Sequence, residues 1–388
     1  MGAIGGPVTL HGMSQECVEQ VVRVVIPGHQ PYEVRIGPGL LAGCGAAVRR
    51  VAPAGRALLV SDANVARHYA DGLQRGLEAA GYAVVRSVVP AGESSKSLAV
   101  LGGIYDAALH GRLDRACPVV ALGGGVVGDL AGFAAATLLR GLPFVQIPTS
   151  LEAAVDASVG GKTGINHAAG KNLIGAFHQP CVVVHDTEVL VSLSLRDRCA
   201  ALAESVKHAL LGDAGFFSWH EEMADRLVGE WGLFSGLAVE LVARNVRIKA
   251  GVVEADEREG GLRAVLNLGH TVGHAVEACL MDHGAEGVWR HGEAVSVGLV
   301  AACRLAEARG EMPKGDADRV CRLLERLRLP VRIPAELSNG VLLERIGSDK
   351  KIRAGRLTFV LPGRIGTVQL VQDVGETELA RAMDGIRG

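Results

Sequence analysis

Residues 118–130 read PVVALGGGVVGDL. A short apolar run, too brief for a helix, ends in glycines that fit G-x-G-x-x-G from Gly123 to Gly128. After a strand, such glycines let a pyrophosphate approach backbone N–H groups at a helix N-terminus. The same residues also fit a plain tight strand-to-helix turn. Working outward, ALLVSD (57–62) and YAVVRSVV (82–89) are two earlier strands, each followed by a helical stretch, 65–80 and 96–110. FVQIP (144–148) and CVVV (181–184) add two later strands. Strands alternating with helices predict an α/β domain with a doubly wound parallel sheet. The glycines follow the third strand of that series, whereas an ordinary Rossmann unit carries them after the first.

Upstream, VVRVVIPGHQPYEVRIG (21–37) reads as a hairpin around Pro-Gly. Downstream, apolar residues at 3–4 spacing predict helices over Leu195–Leu211, Leu237–Glu254, Thr271–Cys279, Glu293–Arg309 and Ala317–Leu327. The change of rhythm at 188–195 predicts two domains, an α/β domain over 1–190 and a mostly α-helical one over 191–388. DKKIRAGRLTFVLPGRIGTVQL (349–370) reads as a small hairpin on the second domain.

Composition narrows the function. The chain has 388 residues, with 40 basic against 42 acidic side chains, so it lacks the basic field of a nucleic-acid binder. Its 52 glycines follow no G-X-Y period, which excludes collagen. The cysteines are scattered and no C-x-x-C occurs, which suits reduced thiols in a cytosolic protein. MGAIGGPVTLHGMSQE at the start lacks the order of a signal peptide. The apolar run Leu130–Leu139 is far short of the ~20 residues that span a bilayer. The expectation is a soluble cytoplasmic protein without membrane or nucleic-acid partners.

Four clusters carry chemistry. The first is Gly123 to Asp129, with Ser61-Asp62-Ala63-Asn64 and Gly92-Glu93-Ser94-Ser95-Lys96 at the ends of the first two strands. Carboxylates there could accept ribose hydroxyls, since ligands bind beyond the carboxyl ends of such strands. They could equally be helix N-caps. The second is Gly160-Gly161-Lys162-Thr163 with Gly170-Lys171-Asn172. It is no P-loop, because Asp156 stands where the first glycine would, yet two lysines in glycine-rich backbone suit anionic oxygens. The third is His270-Thr271-Val272-Gly273-His274, followed by His291-Gly292-Glu293. His270 and His274 share a helical face. Thr271 replaces the catalytic Glu of H-E-x-x-H, which disfavours peptidase chemistry. An open metal site needs three protein ligands, and Glu204 is a candidate because it interrupts an otherwise apolar helix. The fourth is the basic set Lys249, Arg263, Lys350 and Lys351 with Asn267, which suits an anionic substrate.

Together these segments resemble the 3-dehydroquinate synthases among the sugar phosphate cyclases. GGGVVGDLAGFAAATLLRG, VDASVGGKTGINHAAGKNLIGAFHQP, AESVK, DEREGGLRAVLNLGHTVGHAVE, HGEAV and DKK occur in family order. The resemblance implies an N-terminal NAD-binding domain, a helical C-terminal domain and a site between them that binds NAD+ and zinc or cobalt. It puts the metal ligands on Glu204, His270 and His291. NAD contacts fall on Asp62, Asn64, Glu93, Lys96, Gly125, Val126, Val127, Gly128, Asp129, Thr149 and Ser150, with Lys162 and Lys171. Substrate contacts fall on Asp156, Lys162, Asn172, Lys207, Lys249, Arg263, Asn267, His274 and one of Lys350 and Lys351. Arg140 matches an arginine that crosses a homodimer interface into the neighbouring site.

The implied substrate is 3-deoxy-D-arabino-heptulosonate 7-phosphate. The implied sequence is oxidation at one carbinol carbon, loss of phosphate, re-reduction, ring opening and aldol closure to 3-dehydroquinate. Two other readings share most motifs: a secondary-metabolism cyclase such as an amino-dehydroquinate synthase, and a metal-dependent NAD alcohol dehydrogenase. The dehydrogenase would not need the lysines of GGK and GKN or Arg263. A non-catalytic phosphosugar sensor would not need a hydride acceptor beside a metal.

Overall fold

The computed structural model describes residues 19–229, 236–282, 289–352 and 358–388, except for the side chains of 282 and 348–352. Seven strands form one sheet in the order β1-β2-β9-β6-β5-β3-β4. They are β1 (Gln20–Val24), β2 (Tyr32–Gly37), β3 (Arg56–Asp62), β4 (Ala83–Val89), β5 (Val119–Gly123), β6 (Phe144–Pro148) and β9 (Val182–Asp186). Among the described residues of this sheet, only the β1–β2 pair is antiparallel. β5, β6 and β9 are buried along their whole length. This accounts for their continuous apolar runs: a central parallel strand is covered on both faces.

Helices cover the two faces. Leu40–Val51 and Asp71–Ala79 pack on Leu59, Val120, Val145 and Val182. Leu98–His110 and Gly125–Thr137 pack on Leu58, Val60, Val119 and Ala121. β3 pairs with β4 on one side and β5 on the other, so the strand order reverses between β3 and β5. Open α/β sheets bind ligands at such a switch point, and here Asp62 and Gly123 end the two strands that flank it.

From Leu195 the chain is helical: Leu195–Gly212, Ala214–Leu227, Gly236–Ala255, His270–Asp282, His291–Ala308, Asp316–Arg326, Asn339–Ile352 and Glu376–Asp384. Their core is continuous with the β1–β2 hairpin and with residues 151–159. Of the hairpin expected over 349–370, β10 (Phe359–Pro362) and β11 (Val368–Val371) form, whereas 349–352 end a helix and 353–357 lie outside the described residues. No described helix is long and apolar enough to cross a membrane.

The structure adds local detail. The glycine-rich lysine segment is an antiparallel hairpin, β7 (Lys162–His167) and β8 (Gly170–Phe177). The stretch 65–80 is helical as expected, with one wide turn at Ala66–Ala70 inside it. The apolar run Leu130–Leu139 is helical only as far as Thr137, and Leu138–Arg140 is a tighter turn. There Leu139 and Arg140 are both left-handed, at φ 49° and 69°. Each such residue costs ~1–2 kcal/mol, so no regular helix can run through it.

Candidate active site

At the switch point, Gly125 begins the helix behind β5, and Gly128 N donates to Gly124 O at 3.0 Å. Val126 lies on its first turn and Val127 is buried beneath. Asp129, one turn in, receives Lys96 Nζ at 2.6 Å. Burial pushes the Asp129 carboxyl above its ordinary range, although Lys96 opposes the shift. The Lys96 ammonium, 4% exposed, also donates to Asn172 Oδ1 and lies 3.8 Å from Glu93 Oε1. Asn166, which the motifs did not single out, closes the ring: Nδ2 donates to Glu93 at 2.7 Å, and Oδ1 accepts from Asn172 N at 2.9 Å.

At the end of β3, Asp62 is a helix cap, accepting from Asn64 N at 2.8 Å and Val65 N at 3.1 Å. Thr149 is buried with its amide on Gly123 O at 2.9 Å, and Ser150 Oγ accepts from Ala153 N at 3.2 Å. Lys171 is expected beside the nucleotide. Its Nζ donates to Glu277 at 2.9 Å, on the helix that carries the histidines.

Asp156 is the node of the polar cluster. Its Oδ2 lies 2.9 Å from Lys249 Nζ, and its Oδ1 lies 3.6 Å from Lys207 Nζ and 3.2 Å from His208 Nε2. Burial would push this carboxyl up, but Lys207 and Lys249 hold it well below the usual range. Lys207 and Lys249 are themselves buried, so this charge set is built into the core. Lys162 pairs with Glu259 at 2.5 Å, and Asn267 Nδ2 donates to the other oxygen of Glu259 at 2.9 Å. Arg263 is buried, with its guanidinium on the carbonyls of Gly160 (3.0 Å) and Glu257. Arg140 is exposed. The side chains of Lys350 and Lys351 lie outside the described residues.

His270, His274 and His291 bring their ring nitrogens within 4.8 Å of one another. Glu204 Oε1 lies 3.4 Å from the Nε2 of both His270 and His291. Ligands ~2.0–2.1 Å from a tetrahedral zinc stand about 3.4 Å apart, so this carboxylate and two imidazoles fit one ion. Their outer hydrogen bonds fit too. His270 Nδ1 faces Leu268 O at 3.1 Å, and His291 Nδ1 faces Glu277 Oε2 at 2.9 Å. A carbonyl and a carboxylate accept, so both Nδ1 atoms donate and both Nε2 lone pairs converge on Glu204. The site favours positive charge: burial opposes it, yet Glu204, Glu277 and Glu152 raise the His291 pKa well above that of free imidazole. Burial, then His270 and His291, push His274 down to about 3, so it stays neutral near pH 7.

Both halves of the chain match family models. Residues 86–200 match the 3-dehydroquinate synthase N-terminal model, and residues 201–352 the C-terminal one. The chain belongs to the 3-dehydroquinate synthase family. The 3-dehydroquinate synthase of Symbiobacterium thermophilum is 47% identical, covering 93% of this chain and 99% of that relative. That of Synechococcus sp. (strain CC9605) is 45% identical, covering 95% of this chain and 98% of that relative. Among solved structures, 2-epi-5-epi-valiolone synthase from Streptomyces hygroscopicus subsp. jinggangensis 5008, with NAD+ and Zn2+ bound, is 30% identical with a TM-score of 0.84. That likeness covers 94% of this chain and 99% of the other. Membership of the 3-dehydroquinate synthase family accounts for the long segments that spacing alone left open.

Glu152, Asn166, Glu259 and Glu277 were not anticipated from motifs. Glu277 carried a signal, since it stands seven residues after His270 and three after His274 and so shares their helix face. Glu259 sits within DEREGG, which reads as surface charge.

Proposed function

We propose that this chain converts 3-deoxy-D-arabino-heptulosonate 7-phosphate into 3-dehydroquinate and phosphate, using NAD+ and zinc or cobalt, in the cytoplasm and as a homodimer. Family membership supports the activity. The observation that carries it is one carboxylate and two imidazoles converging on a point beside a buried set of cations. Bound NAD+ supplies reversible hydride removal at a carbinol carbon, and the bound metal supplies Lewis acidity toward hydroxyl groups. Glu204, His270 and His291 would hold the metal. Asp62, Asn64, Glu93, Lys96, Gly125 to Asp129, Thr149 and Ser150 would line the nucleotide site, with Lys162 and Lys171 alongside.

Lys162, Lys207, Lys249 and Arg263 provide the positive field for a carboxylate and a phosphate, while Asp156, Asn172 and Asn267 orient them. Holding both anionic ends in one geometry lowers the entropic part of the barrier. In this reading substrate oxygens displace Glu259 from Lys162, because a paired lysine cannot serve two anions equally. The substrate phosphate itself serves as the base, with His274 assisting at the metal side. Arg140 reaches the phosphate of the neighbouring subunit's site. The two-part division at 1–190 and 191–388 belongs to the same reading, with the site between the parts.

A phosphate-release assay on the heptulosonate phosphate, with NAD+ and zinc, tests the reaction. Phosphate should appear while absorbance of reduced nicotinamide stays flat, because one carbon is oxidised and then re-reduced. NADH growing in step with product would instead make the chain a dehydrogenase. No phosphate release would sink the proposal.

A further inference from the structure

A chain of hydrogen bonds with a forced direction runs through the helical core to Asp156. His208, His220, Asn245 and Ser205 are all fully buried. His220 Nδ1 meets Phe216 O at 2.8 Å, and a carbonyl only accepts, so Nδ1 carries the hydrogen. His220 Nε2 is then a lone pair, and Ser205 Oγ, 2.8 Å away, donates to it. Ser205 has no second hydrogen to give, so it accepts from Asn245 Nδ2 at 2.7 Å. The same Nδ2 donates to Leu241 O at 2.8 Å. Turning the amide over would set Oδ1 against that carbonyl and ask Ser205 to donate twice.

With the amide fixed, Asn245 Oδ1 faces His208 Nδ1 at 2.9 Å, so His208 Nδ1 donates. His208 Nε2 is left as a lone pair, and it faces Asp156 Oδ1 at 3.2 Å. Two buried acceptors therefore meet, and among the described residues neither has a hydrogen-bond partner, the other included, while Lys207 Nζ stands 3.6 Å from Oδ1. One added proton removes the conflict; flipping the Asn245 amide does so only by creating two others.

We infer that Asp156 and His208 share one proton, which makes His208 a positioning residue for the cations of the substrate site. The shared proton fixes Oδ1 against the Leu195–Gly212 helix, which leaves Oδ2 on Lys249 at 2.9 Å. Lys207, 3.6 Å from Oδ1, and Lys249 are the nearest charged groups, with Arg263, Glu204 and Glu152 also facing Asp156, and Lys207 in turn contacts Glu204. The excess positive charge that the proton adds suits an anionic ligand. Its role in turnover rests on the reaction proposed above; the proton itself does not.

The test is nitrogen NMR of the full-length protein labelled with 15N-histidine, at pH 7 without substrate. The His208 signals are assigned by their loss in His208→Gln or, should that variant not fold, in His208→Asn. The expected result is a protonated Nδ1, with Nε2 shifted toward the protonated range. In Asp156→Asn the carboxamide brings its own hydrogen, so Nε2 should move to the range of an unprotonated acceptor while Nδ1 stays protonated. Asp156→Ala makes the same comparison if the amide variant does not fold. An unprotonated Nδ1, or an Nε2 shift that ignores the change at Asp156, overturns the inference. None of these readings depends on turnover, so a failed phosphate-release assay would sink the reaction and leave the shared proton standing.

Discussion

Glu277 ties two charges of the site at once, His291 Nδ1 at 2.9 Å and Lys171 Nζ at 2.9 Å. Burial would raise its carboxyl, but His291 and then Lys171 pull it down to about 2. An ionised partner on Nδ1 makes Nε2 a better ligand, so Glu277→Gln should weaken metal binding by ~10–100-fold, the usual scale for outer partners. Chelator competition measures this, and unchanged affinity would remove Glu277 from the metal site. His270→Ala should hold metal near background by elemental analysis; full occupancy there would break the proposed ligand set. Lys162 is half exposed, so Lys162→Ala should fold normally. If it contacts substrate, turnover should fall by on the order of 10²–10³. Normal kinetics in that variant would make it a surface lysine.

At the scale of elements, two helices meet backbone to backbone where the metal site forms. A Cβ at Gly292 would lie 1.9 Å from Ala200 O, so no side chain fits there. Gly292 follows His291, and Ala200 is one turn before Glu204, so this contact brings the two proposed ligands together. Gly292→Ala should force the helices apart, costing ~1–3 kcal/mol of stability and weakening metal binding. Gly251, in an open helical position with nothing within 4 Å, is the control. Gly251→Ala should stabilise by ~0.4–1 kcal/mol. Equal denaturation midpoints for the two variants would contradict this picture.

The same scale shows what the sequence could reveal. The parallel strands were legible because Val- and Leu-rich runs buried on both faces have one reading between glycine and proline breaks. The β7–β8 hairpin was not. KTGINH and GKNLIGAF are rich in Gly, Asn and Lys, and β8 is exposed or half-exposed throughout, so no apolar alternation marks it. The histidine pair was visible from its four-residue spacing. The pairings of Lys171 with Glu277 and Lys162 with Glu259 join residues about a hundred apart, and local spacing carries no trace of them.

Across the whole molecule, buried neutral imidazoles set the acid limit. Burial pushes His185 down to about 3 and His220 to about 4, against ~6.5 for a free side chain. A depressed folded pKa means that the unfolded chain binds protons first. The stability these groups contribute is therefore complete above ~6.5 and lost as pH falls toward 4 and 3. The melting temperature should drop steadily below pH 6.5, and less steeply in His220→Asn. A flat profile from pH 7 to 4 would contradict it.

Arg140 belongs to this scale too, because two left-handed residues in succession persist only where surroundings enforce them. Chains of Arg140→Ala and of His270→Ala, each nearly inactive, should regain activity when unfolded and reassembled together. One site of the mixed dimer would then combine an intact His270 with its partner's Arg140. No recovery despite proven mixed dimers would keep Arg140 within its own subunit.

The strand order has a consequence for how the chain is made. β2 pairs in register with β9, matching Gly37 to Asp186, while β3 to β6 lie between them in sequence. During synthesis the first hairpin emerges long before its partner. At ~5–20 residues per second, a gap of 149 positions (186 − 37) is a wait of roughly 7–30 s. Throughout that wait the apolar side chains of β1 and β2 have neither β9 nor the later helices to cover them. The hairpin therefore waits longer for its partner than the interior strands do, and this stretch of the nascent chain is the one most open to chaperones and to mispairing.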